Sequence, residues 1–229
     1  MRALFVLTSH GELGDTGRAT GFHLGEASVP WQKLTAAGHQ VDFASTDGGR
    51  PPMVGHDPAQ PAEVAFLTDP AVQAALDATL SAEQVEPDRY QLVYFVGGHG
   101  GMWDFRGNPT LHATARTVYE AGGVIAAICH GPAVLVDLEL SDGSRLIAGK
   151  RLTAFPRADE AARKLDTVVP FCLQTALERN GAIYTSGPDK APHVVSDGRL
   201  LTGQNPASTA DLADHLVQAC SSWSRPWFR

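Results

Sequence analysis

Cys129 and His130 are neighbours in the stretch GVIAAICHGPAVL, residues 123–135, where a run of β-branched and small residues meets a Cys-His-Gly turn and then Pro132. A strand, a sharp turn and a helix in that order describe a nucleophile elbow, with Ala127 and Gly131 small because strand and helix pass close together on either side of the thiol. An elbow displays its sulfur. The N–H groups and dipole of a following helix favour the thiolate, and can lower a thiol pKa from about 8.5 to as little as ~3.5. The sequence therefore predicts a displayed, anionic nucleophile at Cys129 with an imidazole beside it to move a proton.

A second glycine cluster, Gly97-Gly98-His99-Gly100-Gly101, follows the apolar run Gln91–Val96 and should reach the same carboxyl edge of a sheet. Main-chain N–H groups near Gly98 and His99, with that of His130, form a candidate oxyanion hole. Met102, Trp103 and Asp104 come next, as pocket lining or core. The nine histidines show no H-x₃₋₅-H or H-E-x-x-H spacing, so no metal site is expected. Three widely spaced cysteines exclude a disulfide framework, at least one thiol being left free; Cys172 reads as a packing residue of a helix, and Cys220 precedes an aromatic tail, residues 221–229, that frays or docks on a partner chain.

The elements that must position these groups are legible from periodicity and punctuation. Arg2–Ser9 reads as a buried strand, Glu26–Ala37 as a helix stopped by Gly38, and Gln40–Ser45 as a second strand. Residues 46–68 are proline-rich and without pattern, an insertion that is either a lid or a surface loop. Asp69-Pro70, Asn108-Pro109 and Asn205-Pro206 each place an N-cap before a proline of a first helical turn, and Gly122 and Gly181 close helices. Val124–Ile128 suits a strand buried on both faces, with further short strands at Arg151–Thr153 and Ala182–Tyr184. His193–Ser196 and Leu200–Thr202 suit a hairpin turned by Asp197-Gly198. The sum is an α/β fold, a mostly parallel central sheet sandwiched by helices in the flavodoxin-like manner, as one domain over residues 1–229.

Composition narrows the partners. The chain has 18 basic and 25 acidic side chains, a formal charge of −7, and no basic cluster for a phosphate backbone, so nucleic acid is excluded. No segment approaches the roughly 20 apolar residues of a spanning helix, and the run Ala3–Leu7 is too short for a signal sequence, which implies no membrane and a cytoplasmic location.

Taken with Glu26 in GFHLGEASVPW, Asp47-Gly48-Gly49, and the run from Asp197 to Ser208, the two glycine-bearing motifs make this chain resemble the ThiJ/PfpI superfamily of class I glutamine amidotransferase-like folds. Within it the resemblance is to the branch of heat-shock chaperones and glutathione-independent glyoxalases, and it runs from Arg2 to about Val217. It implies Cys129 as nucleophile, His130 as its histidine, and a triad carboxylate shortly after Thr153-Ala154-Phe155, matched by Glu160 with Asp159 as the alternative register. It also implies Glu26 as an acid hydrogen-bonded to the thiol, its pKa raised by the neighbouring charge. The implied activity is a glyoxalase III-type lyase that takes methylglyoxal or a related 2-oxoaldehyde and water to lactate or its analogue through a hemithioacetal, with no cofactor. A homodimer is implied as well. A cysteine hydrolase (amidase, peptidase or deglycase) and a stress holdase or redox sensor are the alternatives. A glutamine amidotransferase is disfavoured, because Gln204-Asn205-Pro206 stands where that family carries a His and a Glu two residues apart.

Overall fold

The apolar runs of the sequence lie in the interior of one sheet. The structure, a computed structural model, describes residues 1–223. Its strands are β1 (Arg2–Leu7), β2 (Phe22–His23), β3 (Gln40–Ser45), β4 (Met53–Val54), β5 (Leu80–Ser81), β6 (Leu92–Phe95), β7 (Val124–Ile128), β8 (Arg151–Leu152), β9 (Ile183–Tyr184), β10 (Val194–Asp197) and β11 (Leu200–Gly203). The α-helices are α1 (Leu24–Ala36), α2 (Pro61–Thr68), α3 (Pro70–Asp77), α4 (Gly101–Asp104), α5 (Pro109–Glu120), α6 (Arg157–Ala162), α7 (Leu173–Arg179) and α8 (Thr209–Trp223).

Seven strands make the central sheet in the order β10-β11-β7-β6-β1-β3-β5, parallel throughout except for the β10–β11 hairpin. The chain builds outward from β1 through β3 to β5, then returns to the other side of β1 with β6. The reversal opens a crevice at the carboxyl ends of β1 and β6, where ligands of open α/β sheets bind. Alternation along β1 splits the core: Leu4 and Val6 face one apolar cluster with Phe95 and Ile125, while Ala3, Phe5 and Leu7 face the other with Tyr94 and Ile128.

Punctuation acts as its chemistry dictates. Asp69 accepts from the N–H groups of Ala71 and Val72, and Asn108 from those of Thr110 and Leu111, capping α3 and α5. The hairpin pairs Asp197 with Leu200, so its two-residue turn is Gly198-Arg199, one residue later than the sequence suggests. Asn205-Pro206 opens a 3-10 turn, Pro206–Ser208, that leads into α8. β8 and β9 pair with each other, outside the central sheet.

Residues 46–68 are not a patternless loop. Met53 and Val54 pair in parallel with Phe22 and His23, and α2 follows, started by Pro61 and buried through Ala62 and Phe66, four residues apart. Proline at the first turn masked this helix in the sequence, because its short apolar stripe is only two turns long. Of the aromatic tail, residues 224–229 lie outside the described residues. No helix among the described residues is long and apolar enough to cross a membrane.

Candidate active site

β7 ends in the elbow that its sequence announces. Cys129 sits at φ 57°, a left-handed conformation costly for a residue with a Cβ, and strain of this kind marks a turn held by its surroundings. Its own N–H donates to Gly203 O at 2.9 Å, and its carbonyl accepts from Phe155 N at 2.8 Å. Gly131 is required where the turn passes β6, since a Cβ there would stand 2.3 Å from Phe95 O.

Cys129 differs from the sequence expectation in two ways. It is buried rather than displayed, with 5% of its surface exposed. It is also not set up as a resting thiolate: burial pushes the thiol well above its ordinary value, and the nearby carboxylates of Glu26 and Glu160 add to this against the N–H groups of His130 and Gly98 that face the sulfur. The element after the turn explains the missing depression. It is a five-residue 3-10 turn, Gly131–Leu135, not a full α-helix, so little macrodipole acts on the sulfur.

His130 Nδ1 lies 3.2 Å from Cys129 Sγ, and His130 Nε2 lies 2.7 Å from Glu160 Oε2. The chain of three is therefore assembled from the elbow and α6, and Glu160 rather than Asp159 completes it. Asp159 faces Asp189, and its carboxyl is pushed up by burial and by that neighbour. Burial works against an ionised Glu160 too, but its bonds from His130 and His99 outweigh it and hold the carboxyl well below the ordinary range. An ionised carboxylate only accepts, so the His130 proton sits on Nε2, and Nδ1 presents a lone pair to the thiol. Burial, and then the neighbouring His99, take the His130 imidazole down to about 4, so it is neutral around pH 7 with a lone pair free on Nδ1.

Glu26 enters from the first turn of α1 and is fully buried. Neither carboxyl oxygen has a hydrogen bond of ordinary geometry. Burial pushes the group up to about 8, against the lowering influence of the Cys129 thiol and the Gly97 N–H beside it. Gly97 is what lets acid and thiol meet: a Cβ on it would lie 2.1 Å from Glu26 Oε2 and 2.7 Å from Cys129 Cβ. Gly98, at φ 120°, is pressed against the Gly21 carbonyl and could not carry a side chain either. The expected cause of the raised acid, a neighbouring thiolate, is thus replaced by desolvation.

The remaining predicted residues divide. The main-chain N–H groups of Gly98 and His130 point at the sulfur, where an oxygen on an adduct carbon would find them. The sequence expects His99 to act through its main-chain N–H, as part of the oxyanion hole; the structure engages its side chain, which reaches Glu160 Oε1 at 2.8 Å. Trp103 is stacked on His10, 4.8 Å between ring centres, and packs on the core. Cys172 is not inside a helix but at the N-cap of α7; it is partly exposed and lines a cavity of about 180 Å³ with Phe155, Arg157 and Glu160. Two contributors went unseen in the sequence. Phe155 stacks on His130 at 4.6 Å, and Tyr94 Oη donates to the Glu26 carbonyl at 2.9 Å. Pro30 inside α1 was the available signal for the second, since it leaves the carbonyl four residues earlier without a partner.

The fold also gathers metal-ligating atoms that linear spacing could not reveal. One ligand atom each from His99, His130 and Glu160 lies within 4.8 Å of the others, a two-histidine, one-carboxylate set. Both Nε2 atoms already serve as donors to the carboxylate, so a metal there would have to displace those protons.

Known proteins share this arrangement of chain. The Rapid Encystment Protein 24 KDa of Francisella tularensis superposes with a TM-score of 0.91 at 34% identity, covering 95% of this chain and 98% of that one. The structure of glyoxalase III from Candida albicans superposes at 0.85 with 28% identity, covering 96% and 97%. Among curated sequences, the glutathione-independent glyoxalase HSP31 of Saccharomyces cerevisiae is 30% identical over 236 residues, 95% of this chain and 97% of its own length. With residues 18–219 matching the family's own pattern, the chain belongs to the DJ-1/PfpI family.

Proposed function

We propose that this protein is a glutathione-independent glyoxalase of the glyoxalase III type, converting methylglyoxal or a related 2-oxoaldehyde and water into a 2-hydroxy acid. Relatives aligned over nearly the whole chain carry that activity in their names. The observation that supports it most is Glu26, a fully buried acid held near the pH of the cell beside the Cys129 sulfur. Acyl transfer by a cysteine and histidine has no use for this second acid, whereas moving a proton between adjacent carbons needs one.

The proposed sequence uses each group once it is in place. His130 Nδ1 takes the thiol proton as Sγ adds to the aldehyde carbon, and that proton passes to the new alkoxide to give a hemithioacetal. Glu160 stabilises the transient imidazolium. Glu26, as carboxylate, removes the hydrogen on the former aldehyde carbon, and the enediolate is stabilised by the Gly98 and His130 N–H groups. The same acid returns the proton to the neighbouring carbon while the hydroxyl proton of the first carbon passes to the neighbouring oxygen, leaving a thioester on Cys129. Water then releases the 2-hydroxy acid and restores the thiol. The net change adds one water and moves hydrogen within the substrate, so no oxidant or reductant is consumed.

Purified protein given methylglyoxal without any added thiol should form lactate, and Cys129→Ala and Glu26→Gln should not. Undiminished lactate formation by Cys129→Ala would overturn the mechanism. The homodimer belongs to the same proposal, and sedimentation of the purified chain tests it.

A further inference from the structure

We infer that His99 is a positioning residue of this site, one that acts on Cys129 through Glu160 and His130 by locking the carboxylate that both imidazoles share. The inference rests on the reading of Cys129, His130 and Glu160 as one reacting unit. It does not depend on which substrate that unit takes.

The geometry is a bridge. Glu160 gives one oxygen to each ring: Oε2 to His130 Nε2 at 2.7 Å, and Oε1 to His99 Nε2 at 2.8 Å. The two rings lie 3.9 Å apart, centre to centre, and Phe155 contacts both, at 4.6 Å from His130 and 6.1 Å from His99. The three side chains come from three separate places, the loop after β6, the elbow and α6. Their exposure rises along the path, 0% for His130, 9% for Glu160 and 23% for His99, so His99 is the end of the chain that meets solvent.

A carboxylate held by one donor can pivot about its last torsion and let its partner change tautomer. Two donors from fixed rings, one per oxygen, set its plane and leave it no room to turn. That plane keeps the His130 proton on Nε2 and the Nδ1 lone pair on the thiol. Removing His99 would strip Oε1 of its donor in a nearly buried place, where an unpaired charge is costly.

The sign of the pH effect follows from the groups that face this trio: Cys129 and Glu26 on the sulfur side, Asp159 and Arg163 flanking Glu160, and His23 toward His99. Without His99, Glu160 loses a bond that favours its charged form, so it protonates at higher pH. His130 loses a neighbour that disfavours its protonation, and it also rises; loosening of its bond to Glu160 opposes only this second change. The acid limb of the rate profile, meaning the low-pH step that reports the His130–Glu160 pair and lies below the rise set by Glu26 and Cys129, therefore moves to higher pH.

The test compares wild type with His99→Ala and His99→Gln, the second of which keeps an N–H donor. Lactate formation gives kcat and KM across the pH range, and proton NMR follows the His130 Nε2–H, which a charge-assisted bond holds downfield. His99→Ala should lower kcat by about 10- to 100-fold, the worth of a hydrogen bond to a charged group, with KM little changed. Its acid limb should move up, its Nε2–H resonance should broaden, and His99→Gln should restore most of each. An acid limb and a His130 resonance unaltered in His99→Ala would overturn the inference, even if overall rate fell, because a merely structural loss would scale the profile without moving it. Should His99→Ala fail to fold, His99→Gln and His99→Leu carry the same comparison. If wild type forms no lactate while the NMR signature still depends on His99, the functional reading falls and this one stands.

Discussion

Tyr94 donates its hydroxyl to the main-chain carbonyl of Glu26 at 2.9 Å. The bond exists because Pro30, four residues later in α1, has no N–H with which to close the helical turn. A helix defect thus ties the backbone of the buried acid to β6, the strand that leads into the glycine loop at the thiol.

Tyr94→Phe should lower stability by about 1–3 kcal/mol, because it leaves a buried carbonyl unsatisfied. The defect predicts its own remedy. In a Pro30→Ala background the new N–H can take the carbonyl, so the same Tyr94→Phe change should cost clearly less. Urea midpoints of the four proteins in the cycle measure the coupling, and equal costs in both backgrounds would exclude the explanation.

The buried Glu26 also links stability to pH. Its folded value is raised to about 8, above the ordinary 4.5, so the folded state binds more protons than the unfolded chain between those values. Stability attributable to this group is full below the unfolded value and is lost as pH rises through the folded one, on the order of 5 kcal/mol in all. Wild type should therefore weaken from about pH 5 to pH 8, and Glu26→Gln should lack that part of the slope. Denaturant midpoints at several pH values decide it. The same proton controls chemistry: losing one proton from the Glu26–Cys129 pair creates the reactive form, so kcat/KM should rise toward pH 8.

Cys129 should react slowly with iodoacetamide at neutral pH, with its rate still climbing where a free thiol, half ionised near pH 8.5, has levelled off. Mass spectrometry after brief treatment at stepped pH would follow residue 129 alone. Rapid, pH-independent alkylation from pH 6 upward would mean that the thiolate is the resting form after all.

That contrast marks what the sequence can and cannot disclose. The elbow, the glycine loop, the capped helices and the hairpin are written in local patterns of residue type, and each forms at or within a residue or two of its expected place. The protonation of Cys129 is not local. It depends on how completely Glu26 and Gly97 close around the thiol and on how short the following turn is. The pairing of His99 with Glu160 joins residues 61 apart through a sheet edge, so no spacing rule encodes it. The choice of Glu160 over Asp159 needed the direction of each side chain on α6, which a six-residue helix does not impress on its sequence.

Gly97 provides a steric test of the acid–thiol contact. A methyl group there would fall 2.1 Å from Glu26 Oε2 and 2.6 Å from Ile128 O, and the second of these is main chain that cannot swing away. Gly97→Ala should therefore displace Glu26, cost about 1–3 kcal/mol as overpacking does, and abolish turnover. Retained activity with a shifted pH optimum would show that the acid has an alternative seat.

The strained backbone at Cys129 offers a last test that separates reactivity from folding. At φ 57° a residue with a Cβ costs about 1–2 kcal/mol relative to glycine, while glycine gives back roughly 0.5–1 kcal/mol through the freedom of its unfolded chain. Both Cys129→Ala and Cys129→Gly remove the sulfur and should be inactive. Cys129→Gly should nonetheless unfold at the same or a higher denaturant concentration than Cys129→Ala, the reverse of the order expected within a helix or strand. If alanine proved the more stable by more than a kilocalorie, the left-handed turn would be relaxed rather than imposed, and the elbow would not be what holds the nucleophile in place.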